Sequence, residues 1–151
     1  MTTPIITPDL VDLRLEAASR QDATRRLAQL LAGQGRVTDL DGFLADVAAR
    51  EQQMPTGIEG GIGIPHARSA HVTEPTLAFA RSAAGVDYGA ADGPAHLIFL
   101  IAAPAGGGAQ HMAILAALAR RLVRVSFREA LAAAPDAQSV VDIVTKEVLG
   151  S

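Results

Sequence analysis

The glycine-rich stretch at residues 56–66, TGIEGGIGIPH, ends on a single histidine, His66. Glycines allow tight turns and a close approach of an anion or a partner, while Pro65 fixes its own φ and restricts Ile64 to extended geometry. The ring of His66 is therefore expected at a defined angle. Because imidazole titrates near neutrality, a substantial fraction of it is uncharged, and it can accept and release a phosphoryl group.

The segments on either side of this stretch predict helices at both ends of the chain and strands between them. Residues 95–102 form a continuous apolar run, which is typical of a strand covered on both faces. The alternation of helical and extended segments indicates a layered α/β domain. The predicted helices cover about residues 19–34, 39–53, 110–123, 126–134 and 136–149, and the predicted extended segments cover residues 76–83, 86–88 and 95–102.

Two of these helices contribute residues that could act together with His66. The second places Arg50 and Glu51 in its last turn, where a basic side chain also complements the negative end of the helix dipole. The helix that begins near Gln110 follows a run of glycines. Its predicted inner face consists of Met112, Leu115, Ala116, Ala119 and Leu122.

Composition limits the classes of function. A chain of 151 residues with 49% hydrophobic residues is expected to form one domain over residues 1–151, with its core at about residues 5–149. No apolar run is long enough to cross a bilayer. The N-terminus also lacks the basic region followed by an apolar stretch that is typical of a secretion signal. We therefore predict a soluble cytoplasmic protein that does not insert into a membrane. A net charge of −3 and 3% aromatic residues argue against binding to nucleic acid.

The absence of cysteine excludes disulfides, thiolate zinc sites and thiol nucleophiles from this chain. Residues 57–63 lack the lysine and the serine or threonine of a phosphate-binding P-loop. Residues 106–108 follow an apolar strand without the dinucleotide-binding pattern. We therefore predict that the protein needs no cofactor and no metal ion.

At residues 56–66 the sequence resembles the type-2 enzyme IIA domains of the bacterial phosphotransferase system, the fructose and mannitol class, and most of all the fructose-specific members. The resemblance extends to Arg50-Glu51, which precede the glycine stretch, and to His111, which begins an apolar helix far downstream. It spans nearly the whole chain. It implies a phosphotransferase/anion transport protein-like fold, in which helices lie on both sides of a mixed central β-sheet.

The resemblance also implies an activity and partners. His66 would accept a phosphoryl group from the phosphocarrier protein HPr and pass it to a cysteine of an enzyme IIB during sugar uptake, with fructose the favoured sugar and mannitol or another polyol also open. The chain would be a phosphotransferase that forms phosphohistidine. Since it has no cysteine and no membrane-spanning run, it would be the IIA unit alone.

The resemblance and the residue chemistry together suggest roles at the site. His111 is predicted to donate a hydrogen bond to the phosphoryl oxygens, near the free amide groups of the first helical turn. Arg50 is the preferred guanidinium for neutralising those oxygens, and Arg68 is its rival. The hydroxyl of Thr56 is predicted to bond the loop backbone or the phosphate. A shallow apolar rim for docking is expected from Ile58, Ile62, Ile64 and Met112.

Three positions depart from the family pattern. Glu59 replaces a glycine, Gly63 replaces the usual alanine, and Pro55 stands where a second threonine is common. A carboxylate at Glu59 would repel an incoming phosphate unless it points outward. This residue motivates one alternative, an interaction module that has lost its chemistry and is never phosphorylated.

Two further functions stay open. A regulatory, nitrogen-type enzyme IIA would use the same histidine as a switch, with phosphorylation adding charge to an apolar docking face. A metal-dependent hydrolase could use His66, His71 and Glu74, although their spacing does not match a known zinc motif. His96 begins the apolar strand and is interpreted as a residue at the edge of the core.

Overall fold

A mixed, six-stranded β-sheet forms the centre of the computed structural model, which describes residues 4–150. Its strands follow the order β1-β5-β6-β3-β2, and β4 also pairs with β6. The strands are β1 Val11–Asp12, β2 Gly57–Ile58, β3 Ile62–Gly63, β4 His66–Ser69, β5 Thr76–Val86 and β6 Ala95–Pro104. The α-helices are α1 Arg20–Gly33, α2 Leu40–Gln53, α3 Gly108–Leu122, α4 Val125–Ala133 and α5 Ala137–Glu147.

Helices cover both faces of the sheet, as expected. Residues of α1 and α2 pack with Ile98, Leu100 and Ala102 of β6 in one apolar cluster. Residues of α3, α4 and α5 pack with Leu97, Phe99 and Ile101 in a second cluster. Successive side chains of a strand point to opposite faces, so the continuous apolar run of β6 serves both clusters. This confirms the prediction of a strand buried on both sides.

The first two helices begin after side chains that cap them. The hydroxyl of Ser19 accepts a bond from the amide of Asp22 at 3.1 Å, and α1 begins at the next residue. A carboxylate oxygen of Asp39 accepts a bond from the amide of Gly42 at the start of α2. The predicted segments 76–83 and 86–88 form one strand up to Val86, with a shift of register between Arg81 and Val86. Such an irregularity interrupts the alternation on which the sequence prediction depends.

The predicted inner face of α3 is wrong in part: Leu122 is buried and Leu115 packs against the second cluster, but the other three residues are exposed. The residues buried in this helix are His111, Ile114, Leu118 and Leu122, whereas Met112, Ala116 and Ala119 are exposed. Apolar residues surround most of this helix, so periodicity alone does not select a face. The bulky side chains of Ile114 and Leu118 fill the second apolar cluster, and the helix thereby presents methionine and alanines to solvent.

Candidate active site

His66 is the first residue of β4, which pairs in parallel with β6. Its Nδ1 lies 2.8 Å from the carbonyl oxygen of Ile64. A carbonyl oxygen can only accept, so Nδ1 carries the proton in this hydrogen bond and Nε2 is left with a free lone pair. The neighbouring Pro65 restricts the backbone of Ile64, and the ring is therefore held in one orientation.

The surroundings of His66 favour the neutral, nucleophilic ring. Burial lowers the pKa of His66 below its usual value of 6.5, and the positive charge of Arg50 lowers it further. The bond to Ile64 and the negative charge of Glu51 act in the opposite direction. At neutral pH the ring is therefore uncharged, with a free lone pair on Nε2.

His111, in the first turn of α3, lies beside His66. The two ring centroids are 5.5 Å apart, and the ring planes are inclined by 45°. His111 is only 4% exposed, and its Nδ1 is the one fully buried side-chain nitrogen or oxygen without a hydrogen-bond partner among residues 4–150. Burial, together with the charges of His66 and Arg68, lowers the pKa of His111 to about 4. The ring is thus neutral at pH 7, and one of its nitrogens has no partner.

The helix that carries His111 begins without a side-chain cap, as the sequence predicts. Gly107 occupies the N-cap position and provides no side-chain acceptor. The first intrahelical bond runs from the amide of His111 to the carbonyl oxygen of Gly107 at 3.0 Å. The amides of the preceding helical residues lack partners within the helix, which is the arrangement that favours an anion.

Two arginines approach this pair of rings from different elements. Arg50 is in the last turn of α2, and its Nη1 donates to the carbonyl oxygen of Met54 at 3.2 Å. It therefore stabilises the helix end while its charge acts on His66. Arg68 lies two residues after His66 on β4, and a Cβ built on Gly108 would lie 2.6 Å from its Nη1. Its guanidinium consequently covers the start of α3, close enough for its charge to act on His111.

Thr56 has a partner that the sequence pattern did not predict. Its hydroxyl donates to Glu51 Oε1 at 2.6 Å, and its amide donates to Glu51 Oε2 at 2.8 Å. Thr56 is 8% exposed. A direct bond from its hydroxyl to phosphate remains a prediction, because in this structure the hydroxyl proton is used by Glu51. The sequence contained one indication of this contact, the position of Glu51 in the last helical turn before the loop.

Glu59 and Gly63 occupy different environments within the glycine stretch. Glu59 is exposed in the turn between β2 and β3, where Gly60 and Gly61 both have positive φ. Gly63 is buried, and a Cβ there would lie 2.6 Å from Cδ2 of Tyr88. The ring of Tyr88 therefore fills the space that an alanine methyl group would need, which explains why glycine stands at this position.

Part of the predicted docking rim is wrong. Ile62 is fully buried in the second apolar cluster, because β3 pairs with β6 inside the sheet. Ile58 is 40% exposed and Met112 is 63% exposed, and Ile64 is half-buried. The exposed apolar residues therefore include Ile58 and Met112, and Ile62 belongs to the core.

The other two histidines lie outside this site. Nδ1 of His71 is 4.0 Å from an Asp39 carboxylate oxygen. His96 is exposed at the start of β6, beside Gly61 and Gly85, and its Nδ1 is 2.9 Å from the carbonyl oxygen of Ser82; it is not a residue of the core edge. Over residues 4–150, no three His, Cys, Asp or Glu side chains gather closely enough to hold a metal ion. The proposed combination of His66, His71 and Glu74 is thus not assembled.

The family model described as the phosphoenolpyruvate-dependent sugar phosphotransferase system, EIIA 2, matches residues 4–147. The chain belongs to this family. It is accordingly an enzyme IIA, a component of a phosphotransferase relay, and the resemblance found at residues 56–66 is confirmed. In the part of the chain that the structure describes, no helix is both long and apolar enough to cross a membrane.

Individual relatives agree with this assignment. The chain is 43% identical over 145 residues to the PTS system fructose-specific EIIA component of Haloferax volcanii, covering 95% of this chain and 94% of that protein. The nitrogen regulatory protein IIA-Ntr of Neisseria meningitidis has a similar structure, with a TM-score of 0.86, 30% identity and coverage of 93% and 97%. The mannitol enzyme IIA of Escherichia coli, solved in complex with phosphorylated enzyme IIB, shares the fold, with a TM-score of 0.76, 22% identity and coverage of 93% and 97%.

Proposed function

We propose that His66 accepts a phosphoryl group from the phosphocarrier protein HPr and passes it to the cysteine of an enzyme IIB during fructose uptake. One observation is the main support for this proposal. The bond from His66 Nδ1 to Ile64 leaves Nε2 free beside a second, unpartnered histidine. An imidazole held in this tautomer is suited to attack phosphorus, and a phosphorus–nitrogen bond is labile enough for onward transfer.

The two transfers are displacements at phosphorus. In the first, the lone pair of Nε2 forms a bond to phosphorus while the bond to the donor breaks and its electron pair returns to the donor. In the second, the thiolate sulfur of the enzyme IIB cysteine attacks phosphorus, and the electron pair of the breaking bond returns to Nε2. Throughout both steps, the proton on Nδ1 stays in its bond to Ile64.

Neighbouring groups stabilise the charge on the transferring phosphoryl group. His111 donates a hydrogen bond from its ring, which lies beside that of His66, and the free amides at the start of α3 add to it. Arg50 supplies a guanidinium whose planar donors match phosphate geometry. Arg68 reaches the same region from β4. Thr56 holds the loop through its bonds to Glu51.

The outer face of α3 forms the docking surface in this proposal. Met112, Ala116, Ala119 and Val123 are exposed and follow the helical spacing of one face. Val123 and Ala119 line a groove together with Ile58 from β2. This apolar surface extends from the turn that carries His111, so a partner seated on it reaches His66. Small, transient interfaces suit a carrier that meets two partners in turn.

The relatives support enzyme IIB as the recipient and fructose as the sugar. The Escherichia coli mannitol enzyme IIA forms a complex with phosphorylated enzyme IIB, and the Haloferax volcanii relative is described as fructose-specific. This chain has no cysteine of its own, so the acceptor thiol must come from another domain or protein. A cytoplasmic location and a single domain over residues 1–151 belong to the same proposal.

Incubation with phosphoenolpyruvate, enzyme I and HPr tests the first step. We expect the intact mass to increase by one phosphoryl group, and His66→Ala to abolish the increase. His71→Ala is the matched control, because His71 lies outside the site, and it should be phosphorylated like the wild type. An unmodified wild-type protein in the presence of phosphorylated HPr would contradict the proposal and would favour an interaction module without chemistry.

The likeness to a nitrogen regulatory IIA protein favours a second candidate function. In that case phosphorylation of His66 would control binding to a regulated protein, since it adds negative charge beside an apolar surface. Transfer to the cysteine of a fructose-type enzyme IIB distinguishes the two. Rapid transfer supports transport, whereas binding to a regulated protein that depends on phosphorylation, without transfer, supports control.

A further inference from the structure

A continuous series of hydrogen bonds connects Glu51 to His66. The amide and the hydroxyl of Thr56 both donate to the Glu51 carboxylate, at 2.8 and 2.6 Å. The carbonyl oxygen of Thr56 accepts a bond from the amide of Ile64 at 3.2 Å. The carbonyl oxygen of Ile64 in turn accepts the bond from His66 Nδ1 at 2.8 Å. The position of Thr56 therefore influences the position of the Ile64 carbonyl group, which orients the ring of His66.

Glu51 is itself held from both sides. Its side chain is 12% exposed, and Arg20 Nη1 from α1 lies 3.3 Å from Oε2. One carboxylate thus accepts three hydrogen bonds from two segments, and bonds to an ionised acceptor are stronger than neutral ones. Arg20 also lies 3.6 Å from Asp87, next to the tyrosine that packs on Gly63. These contacts connect the end of α2 to the loop that presents His66.

The backbone carries this restraint from Thr56 to His66. The bond between Thr56 and Ile64 continues the pairing of β2 with β3, in which Gly57 opposes Gly63. Because Pro65 limits Ile64 to extended geometry, fixing the amide of Ile64 also fixes the direction of its carbonyl group. A displaced carbonyl would no longer hold the Nδ1–H tautomer, and part of the population would lose the lone pair on Nε2.

We propose that Glu51 is a positioning residue for phosphoryl transfer, which sets the tautomer and orientation of His66 through Thr56 and Ile64. The proposal rests on the proposed function of His66. In it, Glu51 does not contact the phosphate. It differs from a purely stabilising role, which would lower the stability of the fold and leave the tautomer of the remaining folded protein unchanged.

The test compares four variants by ¹⁵N NMR of His66 and by the rate of phosphorylation with HPr. Glu51→Ala removes the carboxylate, and Thr56→Val removes only the hydroxyl. Thr56→Ser is the conservative variant that keeps both donors, and Glu16→Ala removes an exposed glutamate outside the glycine stretch. All measurements use the folded fraction, whose size is determined by circular dichroism.

We expect Glu51→Ala to lower the fraction of the Nδ1–H tautomer and to slow phosphorylation at least about tenfold, since a displacement of about 1 Å can cost about 100-fold in rate. Thr56→Val should show a smaller effect of the same kind, Thr56→Ser should restore most of the wild-type behaviour, and Glu16→Ala should match the wild type. A folded Glu51→Ala variant with wild-type tautomer and rate would overturn the proposal. If instead the wild type is never phosphorylated, the proposed function fails, and the tautomer measurement still tests the role of Glu51.

Discussion

His66 donates its Nδ1 proton to the carbonyl oxygen of Ile64, two residues earlier in the chain, at 2.8 Å. This contact leaves Nε2 as the imidazole nitrogen with a free lone pair, and it is formed within the motif itself. It also explains the role of the proline between the two residues, because Pro65 holds the carbonyl group in place for the bond.

The first prediction concerns the site of phosphorylation on the ring. Nδ1 is occupied by its hydrogen bond, so the phosphoryl group should be attached to Nε2. ¹⁵N and ³¹P NMR of the phosphorylated protein distinguish the two isomers by the nitrogen that couples to phosphorus. A phosphoryl group on Nδ1 would show that the ring must rotate out of the orientation described here.

The second prediction concerns His111 as a donor. His111→Gln retains an N–H group that can reach the phosphoryl oxygens, whereas His111→Ala retains none. We expect His111→Ala to lower the rate of transfer to enzyme IIB by about 100-fold to 1,000-fold, the effect of removing one charge-stabilising donor. His111→Gln should keep much of the activity. Equal rates in the two variants would exclude a hydrogen-bonding role.

The third prediction concerns stability as a function of pH. His66 and His111 both have lowered pKa values, that of His111 being about 4. The unfolded chain therefore binds protons below about pH 6.5 that the folded protein does not bind, and the free energy of unfolding decreases as the pH falls towards 4. Well above pH 6.5 both states are neutral at these positions, and their contribution is constant.

Urea unfolding at several pH values, with and without His111→Gln, measures this effect. The wild type should lose on the order of 1–3 kcal/mol between pH 7 and pH 4.5 through this histidine, because each unit of pKa shift corresponds to about 1.4 kcal/mol. The glutamine variant cannot bind the proton, so its stability should fall less steeply. Parallel curves for the two proteins would show that His111 titrates normally in the fold.

The fourth prediction concerns Gly63 and Tyr88. In Gly63→Ala the new methyl group would lie 2.6 Å from the ring of Tyr88, which is 1% exposed and whose hydroxyl is 2.9 Å from that of Thr24. We expect a loss of about 1–3 kcal/mol in the free energy of unfolding, as is typical of overpacking. Combining the change with Tyr88→Leu should reduce the loss.

Gly33→Ala provides the matched control for this prediction. Gly33 is the last residue of α1, and apart from its chain neighbours and the helix's own backbone no atom lies within 4 Å of a Cβ built there. Its replacement should leave the stability unchanged or raise it slightly, since alanine restricts the unfolded chain. Equal stability of Gly63→Ala and the wild type would mean that the tyrosine moves at little cost.

The fifth prediction concerns the exposed face of α3. Val123 is 77% exposed and lines a groove with Ile58, so Val123→Asp should raise the KM for phosphorylated HPr and leave kcat nearly unchanged. Val125→Asp is the control, because Val125 is also exposed and lines a different groove with Leu13 and Arg81. A KM that rises equally in both variants, or in neither, would exclude α3 as the docking surface.

Local sequence determined most of the elements and pointed to the candidate reactive residue. Ser19 and Asp39 mark the starts of α1 and α2 because a capping side chain bonds an amide three residues later. The apolar run of β6 indicated burial on both faces, and residues 56–66 singled out His66. These inferences depend on groups that are neighbours along the chain, and short-range physical chemistry is sufficient for them.

The tertiary structure decided which distant groups meet. It placed the ring of His111 beside that of His66, joined Thr56 to Glu51, and filled the space over Gly63 with Tyr88. It also turned α3 so that Ile114 and Leu118 are buried while Met112 faces solvent. Apolar residues surround this helix, so its orientation depends on which side chains fill the space above the sheet. That choice is made by packing between elements, and no pattern within a single helix contains it.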